Sequence, residues 1–136
     1  MPTITISDFI GVIPDSAFDL AVIVEHGLPA DTLGRLRDNG LTFSEVSEIV
    51  ISPRTLKHRK ARGEPLSHEE TDRVVRVARI VSLAAEVFGN SAKALLWLRS
   101  ADERMAGRSP LSMLRTDAGG RVVESRLFQI DEGVFA

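Results

Sequence analysis

Residues 42–62 read TFSEVSEIVISPRTLKHRKAR, and this stretch decides the fold class. A short helical segment at about residues 44–49 ends in the apolar run Ile49-Val50-Ile51, and Ser52-Pro53 follows as a capping hydroxyl with proline at the first helical position. The helix continues through RTLKHRKAR until Gly63, and Glu64-Pro65 confirms the stop. Helix, tight turn, helix is what a helix-turn-helix needs: a short first helix crossing a second whose exposed face offers donors to phosphates and base edges. Ser52, Thr55 and Leu56 supply the cap and an inward anchor. Of the basic residues, 54, 57 and 58 share one face, while 59, 60 and 62 spread around the helix. Val50-Ile51 stand where many such turns place glycine, and so uniform a charge suits backbone contact more than sequence discrimination. The same helix also fits a solvated basic surface paired with acids elsewhere. Residues 1–34 hold Asp8, Asp15, Asp19, Glu25 and Asp31 and no Lys or Arg.

Working outward, residues 16–26 (SAFDLAVIVEH) read as a helix capped by Ser16 or Asp15 and stopped by Gly27 before Leu28-Pro29. Leu33, Leu36 and Leu41 give helical spacing from residue 31 to 39, with Gly40 as a left-handed cap. Downstream, Ser67-His68-Glu69-Glu70 has capping-box spacing and opens the longest apolar-rich stretch, residues 69–88. There Val74, Val77, Val81, Ala84 and Phe88 recur at threes and fours, and the widened stripe puts this helix in the middle of the fold. Arg73, Arg76 and Arg79 form a polar edge on it. Gly89-Asn90 breaks it, and a short helix spans residues 91–99. Ser109-Pro110 repeats the cap-plus-proline signal, and Thr116 or Asp117 caps a last helix with Val122, Val123, Leu127 and Ile130 as its apolar stripe and Gly133 as its stop. Gly119-Gly120 weakens the first turn of that helix by roughly a kcal/mol per glycine. Only residues 3–6 suggest a short extended piece, so the fold class is all-α.

Composition narrows the function. The chain has 136 residues, 43% apolar and 26% charged, with a net charge of -2, which describes one globular domain or two very small ones. With no cysteine, disulfide scaffolds and cysteine nucleophiles are excluded, and three histidines (His26, His58, His68) leave little material for a metal site. The amino terminus lacks the basic and apolar runs of a secretory signal, no window is long enough to span a bilayer, and a cytoplasmic location without membrane contact is the simplest expectation. Ser16, Ser52, Ser67, Ser91 and Ser109 all sit where helices begin, so capping explains them. No residue set combines nucleophile, base and oxyanion donors, and nothing implies a cofactor: a binding role is expected, not catalysis. The terminal QIDEGVFA places two acids and a helix stop before an aromatic, Phe135, which needs either to fold back or to dock into something.

The block order resembles a known family. Gly27-Leu28-Pro29, ISPRTLKHRKARGEPLSHEETDRVVRVARIVSLAAEVFG, KALLWLRS, GRSPLSMLRTDAGGRVVE and QIDEGVFA together resemble the Xre/MbcA/ParS antitoxins, over roughly residues 15–136. The resemblance implies an Xre-like helix-turn-helix domain at about 1–66 and a small helical toxin-binding domain at about 67–136. It also implies a cognate RES-domain toxin that consumes NAD or uses it for ADP-ribosylation. Arg54, Thr55, Lys57, His58 and Arg59 become candidate operator contacts. Gln129, Asp131, Glu132, Gly133, Val134, Phe135 and Ala136 become the segment entering the toxin's NAD cleft, and Gly107, Arg108, Ser109 and Pro110 a second contact. A homodimer and a hetero-oligomer with the toxin are expected by analogy.

On that footing the tail suggests mimicry. A cleft that binds a pyrophosphate and rings offers cationic donors and an apolar slot, which Asp131, Glu132 and a terminal carboxylate would meet on one side and Phe135 on the other. The alternative is a stand-alone helix-turn-helix transcriptional regulator, which has no need of an acidic, aromatic tail.

Overall fold

The computed structural model describes residues 4–133. Eight α-helices run in order within it: α1 (Ile6–Ile10), α2 (Ala17–His26), α3 (Thr32–Asp38), α4 (Phe43–Ile49), α5 (Pro53–Arg62), α6 (His68–Phe88), α7 (Ser91–Arg99) and α8 (Asp117–Asp131). Two 3-10 turns, Glu103–Met105 and Leu111–Arg115, connect the last two helices. Among the described residues there is no strand, and the all-α expectation holds; the one extended pairing is an isolated bridge between Asp102 and Arg108.

Local chemistry sets most boundaries. Ser16, Thr42, Ser52, Ser67 and Thr116 each accept a backbone N–H in the first turn of the helix they precede, and Thr42/Glu45 and Ser67/Glu70 close full capping boxes. Two expectations change. Asn90, not Ser91, caps α7: its Oδ1 accepts the Lys93 N–H at 2.8 Å, and Ser91 is the first helical residue. Of the stretch expected to be extended, residue 3 lies outside the described residues and Thr5 is extended, while Ile6 already opens α1, where Asp8 accepts the Thr5 N–H at 2.8 Å. That helix forms because Phe9 and Ile10 are buried against α3 and α6, burial that β-branched residues nearby do not forecast.

Helix α6 is the central post, contacting α1, α2, α7, α8 and the second 3-10 turn. Val74, Val77, Ala78, Ile80, Val81 and Ala84 are fully inside, and one continuous core runs from Phe9 to Leu127. The arginines along α6 do more than form a polar edge. Arg73 donates to the Val50 carbonyl at 3.1 Å, Arg76 to the Leu114 and Arg115 carbonyls at 3.2 and 3.4 Å and to Asp72 at 3.0 Å, and Arg79 pairs with Glu124 on α8. They tie α6 to the helix-turn-helix on one side and to the carboxyl-terminal segment on the other.

Gly119 and Gly120 have a packing reason. A Cβ on Gly119 would stand 2.0 Å from the Met113 carbonyl oxygen, and one on Gly120 would stand 2.9 Å from Arg76 Cδ. The weakened first turn of α8 is therefore the condition for its close approach to the 3-10 turn and to α6.

Candidate functional site

The first surface is built by α4 and α5. The turn between them passes through Val50 at φ -104, ψ -60, so no left-handed residue is required. Val50 and Ile51 are buried and anchor the turn in the core, which explains β-branched residues where glycine is common. Ser52 Oγ then accepts the Thr55 N–H at 3.2 Å and donates to Thr55 Oγ1 at 2.9 Å, starting α5. Arg54, Lys57, His58, Lys60 and Arg62 are exposed on it. Arg54, His58 and Arg62 succeed one another at intervals of four and, with Thr55 and Arg59, line a shallow hollow of about 260 Å³.

Arg59 differs from its neighbours. Its guanidinium donates to both Glu70 oxygens at 3.2 and 3.3 Å and to Glu64 at 3.1 Å. Glu70 is buried and also accepts the Ser67 N–H at 2.8 Å. Burial pushes the Glu70 carboxyl upward, but the Arg59 hydrogen bond, the Ser67 amide and the Arg59 charge outweigh it and hold the group below the usual carboxylate range. The same bonds raise the Arg59 guanidinium, those to Glu70 most. The ion pairs of the basic helix thus run to Glu64 and Glu70 and not to the acids of residues 1–34.

The second surface lies on the carboxyl-terminal half. Residues 102–108 form a tight turn in which Asp102 and Arg108 pair through the backbone, Ala106 is left-handed at φ 56 and Gly107 has φ 79. Gly107 and Arg108 are exposed, Ser109 Oγ accepts the Ser112 N–H at 3.3 Å, and Pro110 is buried. Along α8, Val123 and Leu127 are fully buried, whereas Val122, expected in the same stripe, is 46% exposed and Phe128 is 49% exposed. Val122 borders a hollow of about 460 Å³ together with Arg104, Met105, Arg121, Ser125 and Gln129. Gln129, Asp131, Glu132 and Gly133 are all exposed at the end of the helix, where Gly133 takes φ 80. Val134, Phe135 and Ala136 lie outside the described residues. Phe128 had no signal in the sequence separating it from the buried stripe beside it.

No group of three or more His, Cys, Asp or Glu is placed to hold a metal ion among the described residues, and no helix there is long and apolar enough to cross a membrane.

Comparison with known proteins follows the same two surfaces. Residues 19–79 match the antitoxin Xre-like helix-turn-helix domain, and residues 83–133 match the antitoxin Xre/MbcA/ParS C-terminal toxin-binding domain. Antitoxin Xre of Pseudomonas putida is 38% identical over 118 residues, covering 87% of this chain and 74% of its own length. The Prs ADP-ribosylating antitoxin of a Sphingobium species is 28% identical over 135 residues, covering 89% of this chain and 83% of its own. A chain of the M. tuberculosis MbcT-MbcA toxin-antitoxin complex superposes with a TM-score of 0.58 at 29% identity, over 79% of this chain and 96% of that one. Helix-turn-helix first and toxin-binding domain second, the chain belongs to the Xre/MbcA/ParS family of antitoxins.

Proposed function

We propose that this antitoxin neutralises a cognate RES-domain toxin, an enzyme that consumes NAD or transfers ADP-ribose from it, by carrying its carboxyl-terminal segment into the toxin's NAD cleft. The observation that carries the proposal is the end of α8, where Gln129, Asp131, Glu132 and Gly133 are exposed beyond Leu127, the last buried side chain among the described residues. A helix end that the described residues leave exposed offers a surface for a partner to cover. Asp131 and Glu132 meet the cationic donors of a pyrophosphate site, and Phe135, beyond the described residues, fills its apolar slot. The turn at Gly107, Arg108, Ser109 and Pro110 makes the second contact. A relative named Prs ADP-ribosylating antitoxin and a likeness to the MbcT-MbcA complex support a toxin partner of this chemistry.

The labour divides at the loop before α6: residues 67–136 hold the toxin, and residues 1–66 present Arg54, Thr55, Lys57 and His58 to operator DNA, with Arg59 bracing the helix through Glu70. Paired half-sites call for a homodimer, and the toxin complex is then a hetero-oligomer. The exposed basic face of α5 also favours the second possibility, a transcriptional regulator acting without a toxin.

Deleting residues 132–136 separates these. The truncated chain is expected to keep its helical circular dichroism and to lose inhibition of the toxin in an NAD-consumption assay. Full inhibition by the truncated chain removes the cleft-insertion mechanism, and failure of the intact chain to bind any NAD-using protein leaves the regulator.

A further inference from the structure

The turn that starts α5 opens onto a groove of about 780 Å³ between the helix-turn-helix and the carboxyl-terminal half. One wall is the turn itself with Ser52 and Thr55; the other is the second 3-10 turn and the start of α8. Three guanidinium side chains line it: Arg73, Arg108 and Arg115. Arg73 is directed at the Val50 carbonyl, and one Arg108 nitrogen lies 3.4 Å from the Ser112 carbonyl. Arg115 is exposed, and its main chain is fixed from both sides, by Arg76 on its carbonyl and by the Thr116 cap that follows. Of the two acids in the lining, Glu70 is already engaged by Arg59, which leaves Glu48 as the only opposing charge there without that engagement. The groove is therefore electropositive, and it begins at the end of α5 that a helix-turn-helix directs toward base edges.

We infer that Arg115, with Arg108 in the same groove, contacts phosphates of the same duplex that α5 enters, so that operator binding draws on the toxin-binding half as well. The inference rests on the DNA-binding part of the function proposed above. A recognition helix lies in a major groove about 12 Å wide and flanked by both phosphate strands, so cations just beyond its amino-terminal turn face a backbone. A phosphodiester strand matches the charge of the groove, and contacts there add affinity without sequence preference. Arg108 also belongs to the turn assigned to the toxin, so Arg115 is the cleaner probe.

The test measures binding of the full chain to a duplex of its own promoter and to a scrambled duplex, across a salt series, with Arg115→Ala and, as a control, Lys93→Ala at an exposed position on α7. Arg115→Ala is expected to weaken both duplexes several-fold and to flatten the log-log salt slope by about 0.9, the release of one phosphate's counterions. Lys93→Ala leaves the slope alone, and toxin inhibition and circular dichroism are unchanged in both variants. A wild-type slope in Arg115→Ala overturns the inference while DNA binding by α5 stands. Absence of salt-dependent binding by the wild-type chain removes both. Loss of toxin inhibition in Arg115→Ala with an unchanged slope assigns the groove to the toxin instead.

Discussion

Arg99 on α7 clasps Glu45 on α4 through two hydrogen bonds of 2.7 and 2.8 Å, and its Nη2 also donates to the Gly40 carbonyl at 2.7 Å. Fifty-four positions apart in sequence, these residues lock the first helix of the helix-turn-helix to the toxin-binding half. A bidentate guanidinium-carboxylate pair in a half-buried setting outweighs an ordinary surface ion pair. Arg99→Ala is expected to lower the unfolding free energy by about 1 kcal/mol, read from the urea midpoint at unchanged m-value.

Acid should unfold the chain earlier than its net charge suggests. The Arg99 hydrogen bond holds the Glu45 carboxyl below its ordinary 4.5, and the bonds to Arg59 and the Ser67 amide do the same for Glu70 against the pull of burial. Folding therefore suppresses protonation of both groups, and the unfolded chain takes up more protons as pH falls through 4.5. The stability they contribute is complete above that value and is lost below it, as pH drops through the lower folded values. Urea midpoints measured from pH 7 to pH 3 should fall in the acid range, and Glu45→Gln should show a shallower fall than the wild type.

Two glycines make opposite predictions. Gly34 lies inside α3 with nothing within 4 Å of an added Cβ, so Gly34→Ala should stabilise by about 0.5–1 kcal/mol through helix propensity and a less disordered unfolded chain. Gly119→Ala meets the Met113 carbonyl and should destabilise by about 1–3 kcal/mol despite the same propensity gain. Thermal midpoints moving in the same direction for both would contradict the packing of α8 on the 3-10 turn.

Arg76 is nearly buried, and its guanidinium satisfies the Leu114 and Arg115 carbonyls together with Asp72. Arg76→Met keeps the aliphatic stem but strands the Leu114 and Arg115 carbonyls, and a loss of about 2 kcal/mol is expected in urea unfolding. Lysine should rescue little, since one ammonium does not reproduce the forked geometry.

A fragment tests the single core. Residues 1–66, expressed apart, are expected to lack a cooperative thermal transition, because α1 and α2 pack against the buried face of α6 around Val74, Val77, Val81 and Ala84, which that fragment lacks. A sharp transition in that fragment would contradict the arrangement.

The helical order was legible because its signals are local: Ser52-Pro53, Ser67 with Glu70 and Gly133 are readable within four residues, and the period in 69–88 identifies the central helix. The candidate surfaces were legible only where composition marked them, as on α5. Contacts between distant segments were not. Nothing near Arg59 distinguishes it from Lys57 or Arg62 until Glu70 is brought against it, and the ties of Arg73, Arg76 and Arg79 depend on where three other segments place a carbonyl or a carboxylate. Likewise α1 forms through burial of Phe9 and Ile10 at sites made by α3 and α6, which a residue-by-residue pattern does not contain.

The two family matches end and begin within α6, at residues 79 and 83. A helix shared in this way gives both surfaces one lifetime. An opening that exposes α6 to a protease disrupts the toxin-binding half and the basic face of α5 in the same event, because α7, α8 and, through Glu70, Arg59 are all tied to that helix. The chain then behaves as a timer with a single hand: its rate of destruction sets when every one of its contacts is released.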